Sequence, residues 1–215
     1  QRVAEENGAE IRLADYDVNY YTSPNEILSL IDTSTSVVSL SHVEYSNGQR
    51  YDLRRFADAA HAVGALLVVD ATQSLGMVPI DVKSTGADVI VSSGYKWLRG
   101  TYGAAVAYIS PELSSSLTPG LIGFRSHADI WDLKADRMQL PNDASRFEYT
   151  TIHFGAVLGL AASVNEINEF GIDNVWRYDI SLADLLIQGV KELGIEIVSP
   201  LSESERSAII SLRLP

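Results

Sequence analysis

Lys96 and Asp70 are the two side chains whose type and setting could make and break bonds. Lys96 closes the run Ser92-Ser93-Gly94-Tyr95-Lys96, which follows the apolar Val89-Ile90-Val91. Twenty-six positions upstream, Asp70 follows Leu66-Leu67-Val68-Val69 and precedes Ala71-Thr72-Gln73-Ser74. Each apolar run reads as a strand that ends in a polar cluster. One cluster offers a carboxylate with an amide three residues on; the other offers hydroxyls, a glycine and an amine. In an open parallel sheet ligands bind at the carboxyl ends of the strands, so both clusters would share one edge. An amine there can form a Schiff base with an aldehyde, and a carboxylate can keep a pyridine nitrogen protonated. Pyridoxal 5′-phosphate (PLP) requires that pair. Ser93 and Tyr95 could donate to its phosphate, and Gly94 would let the backbone approach. The plain alternative is a structural Asp70–Lys96 bridge, which needs neither Gln73 nor the glycine–hydroxyl cluster.

The elements that must position these groups alternate along the chain. Residues 10–13 are expected to form a short strand, and Pro24 opens a helix over 24–31. Residues 37–42 read as a strand followed by the turn Tyr45-Ser46-Asn47-Gly48. Asp52 is a plausible N-cap for a helix over 53–63, in which Leu53, Phe56, Ala57, Ala60 and Val63 recur at helical spacing. Strands are expected at 65–69, 87–91 and 103–109. Continuous apolar strands joined by helices indicate a largely parallel sheet with both faces covered. Residues 111–146 lack a clear period and read as a functional loop, with Arg125 and Trp131 in it. Trp131 could pack there or line an entrance. Helical periodicity resumes from His153 to Phe170, breaks at Gly171 and continues to about residue 193. Strands at 195–198 and 208–212 then read as a second, incomplete unit.

Composition narrows the class. Hydrophobic residues make up 46% and charged residues 20% of the 215, the balance of a globular protein. Sixteen Lys and Arg against 28 Asp and Glu give a net charge of −12, which argues against nucleic-acid or anionic-membrane partners. A phosphorylated cofactor remains compatible, because backbone N–H groups and hydroxyls can hold phosphate locally. There is no cysteine, hence no disulfide, thiolate zinc site or thiol nucleophile. The four histidines form no short metal-binding motif. No apolar run approaches the roughly 18–20 residues that span a bilayer. No G-x-G-x-x-G follows a predicted strand, which sets aside a Rossmann-type nucleotide binder. The start at Gln1 has neither a signal peptide nor an initiator Met, and the end resembles an interrupted strand. The expectation is a soluble cytoplasmic protein seen as a central-to-C-terminal fragment.

Asp70-Ala71-Thr72-Gln73 followed by Ser93-Gly94-Tyr95-Lys96 resembles the class V aminotransferase family of PLP enzymes, which includes cysteine desulfurases, kynureninases and isopenicillin N epimerase. Ser41-His42-Val43-Glu44-Tyr45-Ser46-Asn47-Gly48 resembles that family's Ser-His-Val-Asn turn, and Phe147-Glu148-Tyr149-Thr150-Thr151 its Phe-Glu-x-Gly-Thr. The resemblance implies the fold type I, aspartate aminotransferase-like α/β fold. Residues 1–170 would belong to the PLP-binding large domain, with its N-terminal part missing. Residues 171–215 would begin a small C-terminal α+β domain.

Carried over by position, the resemblance implies that Lys96 forms the Schiff base and shuttles the substrate α-proton. Asp70 would pair with the pyridinium nitrogen and Gln73 would reach the phenolic oxygen. Ser93 and Tyr95 would bind the phosphate, with Ser41 a lesser cofactor contact. Thr151 would reach the phosphate of a neighbouring subunit, implying a homodimer. Tyr45 and Thr150 depart from the family pattern. Tyr95 and the Glu44-Tyr45 turn lean toward kynureninases, whereas Gln73 leans toward desulfurases. The implied activity is a transaminase or cysteine desulfurase-type lyase, with a kynureninase-like hydrolase or a non-catalytic PLP-fold protein as alternatives.

Overall fold

Leucine and β-branched runs make the three parallel strands, and each of these ends where its side chains turn polar. The computed structural model describes residues 2–134 and 136–214. Two short helices come first, α1 (Arg2–Asn7) and α2 (Pro24–Ser29). They are followed by β1 (Val37–Ser41), α3 (Leu53–Ala62), β2 (Leu66–Asp70), α4 (Val82–Thr85), β3 (Val89–Ser93) and β4 (Ala105–Ile109). The remainder comprises α5 (Pro111–Ser116), the long helices α6 (Phe154–Phe170) and α7 (Ile172–Glu192), and the short strands β5 (Glu196–Ile197) and β6 (Leu212–Arg213). Among the described residues no helix is long and apolar enough to cross a membrane.

The sheet runs β1-β2-β3-β4, with the first three strands parallel and β4 antiparallel to β3. The reversal has a local cause. Only residues 94–104 separate β3 from β4, and a parallel return needs a crossover of a dozen residues or more. Register sets Ser41 opposite Asp70 and Asp70 opposite Val91, which aligns the ends of β1 and β2 with the end of β3.

Helix α3 begins as its sequence requires. The Asp52 side chain accepts from the Arg54 N–H at 3.1 Å, satisfying one of the free amides of the first turn. Its spaced Leu53, Phe56, Ala57 and Ala60 then pack on Val38, Leu67, Val69 and Ile90. Burying a side chain of the size of Phe56 contributes about 1.5–3 kcal/mol. On the opposite sheet face Val37 and Val91 stay 52% and 37% exposed.

Residues 10–13 do not form a strand. The Arg12 guanidinium instead bonds the Leu30 carbonyl at 2.9 Å, Asp32 at 2.8 Å and Ser34 at 2.7 Å, and no ladder forms. The aperiodic stretch after β4 holds α5 and two 3₁₀ turns, Phe124–Ser126 and Ala144–Phe147.

The C-terminal segment closes on the turn after β1. Val43, Met77 and Val78 are buried with Trp97, Trp176, Ala208 and Ile209 around them. Ser207 Oγ donates to the Gly48 carbonyl at 2.8 Å, and Ser211 Oγ to the Ser46 carbonyl at 2.6 Å. Arg50 bonds the Glu203 and Arg206 carbonyls and lies 5.5 Å from the Trp176 ring centroid. Gly48 has φ +74°, and a Cβ there would fall inside the Ile209 carbonyl oxygen.

Candidate active site

The ends of β2 and β3 are tied together by a residue that sequence reasoning passed over. Thr72 donates its N–H to Asp70 Oδ1 at 2.8 Å and accepts from the Ser93 N–H at 3.1 Å through Oγ1. It therefore orients the Asp70 carboxylate and couples it to the strand end that leads to Lys96. The signal was the aspartate itself, whose side chain can accept from the backbone N–H two residues on in an Asx turn. The second bond of Thr72 is non-local and left no mark in the sequence.

Asp70 Oδ2 accepts nothing from the described residues, and the half-buried Lys96 amine has neither a hydrogen bond nor an ion pair among them. The structural Asp70–Lys96 bridge is not formed. Gln73 is half-buried with its amide unpaired, and the Ser93 and Tyr95 hydroxyls are likewise unpaired among the described residues. Tyr95 stacks on Tyr102 with ring centroids 4.6 Å apart, which restrains its ring at the surface.

Lys96 is presented by a closed loop. Gly100 N–H donates to the Gly94 carbonyl at 2.8 Å, Arg99 N–H to the Lys96 carbonyl at 2.8 Å, and Gly94 N–H to the Ala104 carbonyl at 3.0 Å. Arg99 takes a left-handed φ of 56°, a conformation that costs a non-glycine residue about 1–3 kcal/mol. An ion pair to Glu166 on α6 at 3.1 Å helps to hold it. Gly76, at φ +99°, lets the loop after β2 press on this one, since a Cβ would lie 2.5 Å from the Trp97 carbonyl oxygen. Gly94 has a packing reason of its own. A Cβ would meet the Ala104 oxygen at 2.8 Å and Leu160 Cδ2 at 3.0 Å.

Three residues of the β1 turn stand beside Asp70. Ser41 is its register partner and uses its hydroxyl for no hydrogen bond among the described residues. The His42 N–H donates to the Asp70 carbonyl at 2.9 Å, while its ring is buried with Nδ1 unpartnered. Burial first, and Arg50 second, push the imidazole down to about 4, so it stays neutral and structural near neutral pH. Burial raises the Glu44 carboxyl above its ordinary value, and the Asp70 carboxylate adds to the rise. A raised acid favours the folded state fully only below its unfolded value, and that contribution is lost as pH rises through the folded value. Glu44→Gln should therefore match the parent in stability below about pH 4 and exceed it increasingly at higher pH. Denaturant melts across pH would read this, and a constant difference at all pH values would contradict it.

Thr151 is exposed in the segment before α6, with its hydroxyl unpaired among the described residues, and makes no hydrogen bond to the strand-end cluster within one protomer. Trp131 is 80% exposed and so does not pack within the protomer. Arg125 pairs with Glu148 at 2.7 Å. His153 caps α6 by accepting from the Ala156 N–H at 3.1 Å. Tyr45 lies at the surface.

The unpaired set among the described residues is one carboxylate oxygen, one amine, one amide and three hydroxyls, those of Ser41, Ser93 and Tyr95, at adjoining strand ends. It fits a ligand that carries a protonated ring nitrogen, a carbonyl, an oxyanion and a phosphate. Among the described residues no group of His, Asp and Glu could hold a metal ion.

The aminotransferase class-V family model matches residues 1–215. A probable cysteine desulfurase of Methanothermobacter thermautotrophicus is 29% identical over 192 residues, 89% of this chain and 47% of that protein. A kynureninase of Deinococcus radiodurans is 30% identical over 205 residues, 93% of this chain and 50% of that protein. The solved cysteine desulfurase of Thermococcus onnurineus superposes with a TM-score of 0.88 at 27% identity, covering 100% of this chain and 53% of that one. The chain spans about half the length of the curated relatives it matches.

Proposed function

Since the chain belongs to the class-V aminotransferase family, a family of PLP-dependent enzymes, we propose that it carries the lysine half of a PLP site that moves the α-proton of an amino acid. The observation that carries this reading is the unpaired Lys96 amine on the same sheet edge as the free Asp70 carboxylate oxygen. When bound, PLP supplies an electron sink that lets a proton leave the substrate Cα.

The chain's own residues divide the work. Lys96 is the amine to which the cofactor would be attached, and once released it is the base that takes the α-proton. Asp70, oriented by Thr72, would keep a proton on the ring nitrogen by offering its free oxygen. Gln73 would donate to the phenolic oxygen, and Ser93 and Tyr95 to the phosphate, with Ser41 a lesser contact. Thr151 would serve the phosphate held by a second copy of the chain, making the enzyme a homodimer. On the same reading residues 1–170 form the cofactor-binding domain and 171–215 begin a small domain. The left-handed Gly171 between α6 and α7 supports that division.

The reaction is assigned to a transaminase or a cysteine desulfurase-type lyase. A kynureninase-like hydrolase is the second reading, favoured by the 30% identity to a kynureninase. A non-catalytic scaffold is disfavoured, because it has no use for an unpaired half-buried lysine. The purified full-length protein should be yellow, with a visible band that borohydride abolishes. Colourless protein that gains no band on addition of PLP would overturn the reading. A panel of amino acids, with sulfide, alanine, keto acid and anthranilate as products, would then assign the reaction.

A further inference from the structure

Thr151 donates to a phosphate at less cost if the irregular segment that carries it is held in place, and the structure brackets that segment at Glu148 and Tyr149. Residues 148–151 have no helix or strand of their own. Just before them the buried Arg146 anchors the chain by donating Nη1 to the Ser114 and Ser115 carbonyls at 2.7 and 2.9 Å. The 3₁₀ turn Phe124–Ser126 grips the segment from the other side. Ser126 is fully buried, and its Oγ donates to the Glu148 carbonyl at 2.9 Å while accepting from the Gly123 N–H at 3.3 Å. Arg125 donates to Glu148 Oε2 twice, from Nη2 at 2.7 Å and Nε at 3.2 Å. Gly123 lies so close to the Tyr149 carbonyl oxygen that a Cβ would overlap it.

We propose that Gly123, Arg125 and Ser126 are positioning residues that fix the backbone of Glu148 and Tyr149 and thereby aim the Thr151 hydroxyl at the phosphate of PLP. The proposal rests on the reading of the site as a PLP site completed by Thr151 of a second copy. Its physical content is preorganisation. A hydroxyl on an unrestrained segment must lose conformational freedom on binding, and the bracket removes most of that cost beforehand. The side-chain contacts that carry the proposal run from these three residues to Glu148 and Tyr149, so on this proposal they act through Thr151. Their effect should therefore appear only for ligands that carry the phosphate.

The test compares the dissociation constants of PLP and of pyridoxal, which lacks the phosphate, in the full-length protein stripped of cofactor and held at one protein concentration. Thr151→Ala and Ser126→Ala should each weaken PLP about tenfold, the scale of one lost charge-assisted hydrogen bond. Both should leave pyridoxal binding unchanged. The double variant should lose no more than Thr151→Ala alone, and Ser126→Thr, which keeps the hydroxyl, should restore PLP affinity. If Ser126→Ala fails to fold, Arg125→Gln at the more accessible ion pair should show the same selective loss. Equal weakening of PLP and pyridoxal would overturn the proposal in favour of a merely structural turn. Unchanged PLP affinity in the variants would overturn it as well. Wild-type protein that binds neither ligand would overturn the PLP reading and the bracket together, whereas intact wild-type binding with unselective variants overturns the bracket alone.

Discussion

Replacing Lys96 with alanine will remove the borohydride-sensitive visible band from the PLP-loaded full-length protein and lower turnover by about 10²–10⁴-fold through lost proton transfer alone. The thermal stability of the cofactor-free protein should barely move, since bound cofactor adds its own stabilisation only in the parent. The amine makes no bond among the described residues, so its removal strands no partner. Substitutions that break no such feature stay within about 0.5 kcal/mol, a shift of about 2 °C or less for a chain of this size. Lys96→Arg is the informative companion. It keeps the positive charge and most of the stem, yet a guanidinium is always protonated and cannot attach a carbonyl cofactor. It should lose the band as completely as alanine does. A large drop in the stability of the cofactor-free protein with Lys96→Ala, or a surviving band with Lys96→Arg, would mean that the lysine is structural after all.

Gly48→Ala should cost about 2–4 kcal/mol, combining left-handed strain with overpacking against the Ile209 carbonyl. At about 2–4 °C per kcal/mol the melting temperature would fall by about 5–15 °C. The cost is concentrated here because the turn after β1 has no room to move. Ser207 and Ser211 bond its carbonyls, and Arg50 is held by the carbonyls of residues 203 and 206. Gly64→Ala is the control, since φ is +80° there but nothing lies within 4 Å of the added Cβ. It should cost only the backbone strain, about 1–3 kcal/mol. Comparable melting temperatures for the two variants would show that the C-terminal segment does not press on the turn.

The strand-to-polar switches at Asp70 and at Ser92–Lys96 were legible because they are local. An apolar run must leave the core where its side chains become polar, whatever the remainder of the chain does. The same holds for the Asp52 cap and for the spaced apolar face of α3, which the helix period alone dictates. The extended reading of residues 10–13 failed for the opposite reason. A strand exists only with a partner, and Arg12 found a carbonyl, an acid and a hydroxyl instead. Thr72 escaped notice because its bond to the Ser93 N–H spans 21 positions.

Taken alone, the sequence determined which residues could do the chemistry and the order in which a sheet would deliver them, since propensity and burial act over a few neighbouring positions. Only the tertiary structure decided that Asp70 and Lys96 do not pair, that β4 runs antiparallel, and that Gly94 packs against Ala104 and α6. Each of those outcomes depends on groups far apart in the chain competing for the same space and the same hydrogen-bond partners, and local patterning does not encode that competition.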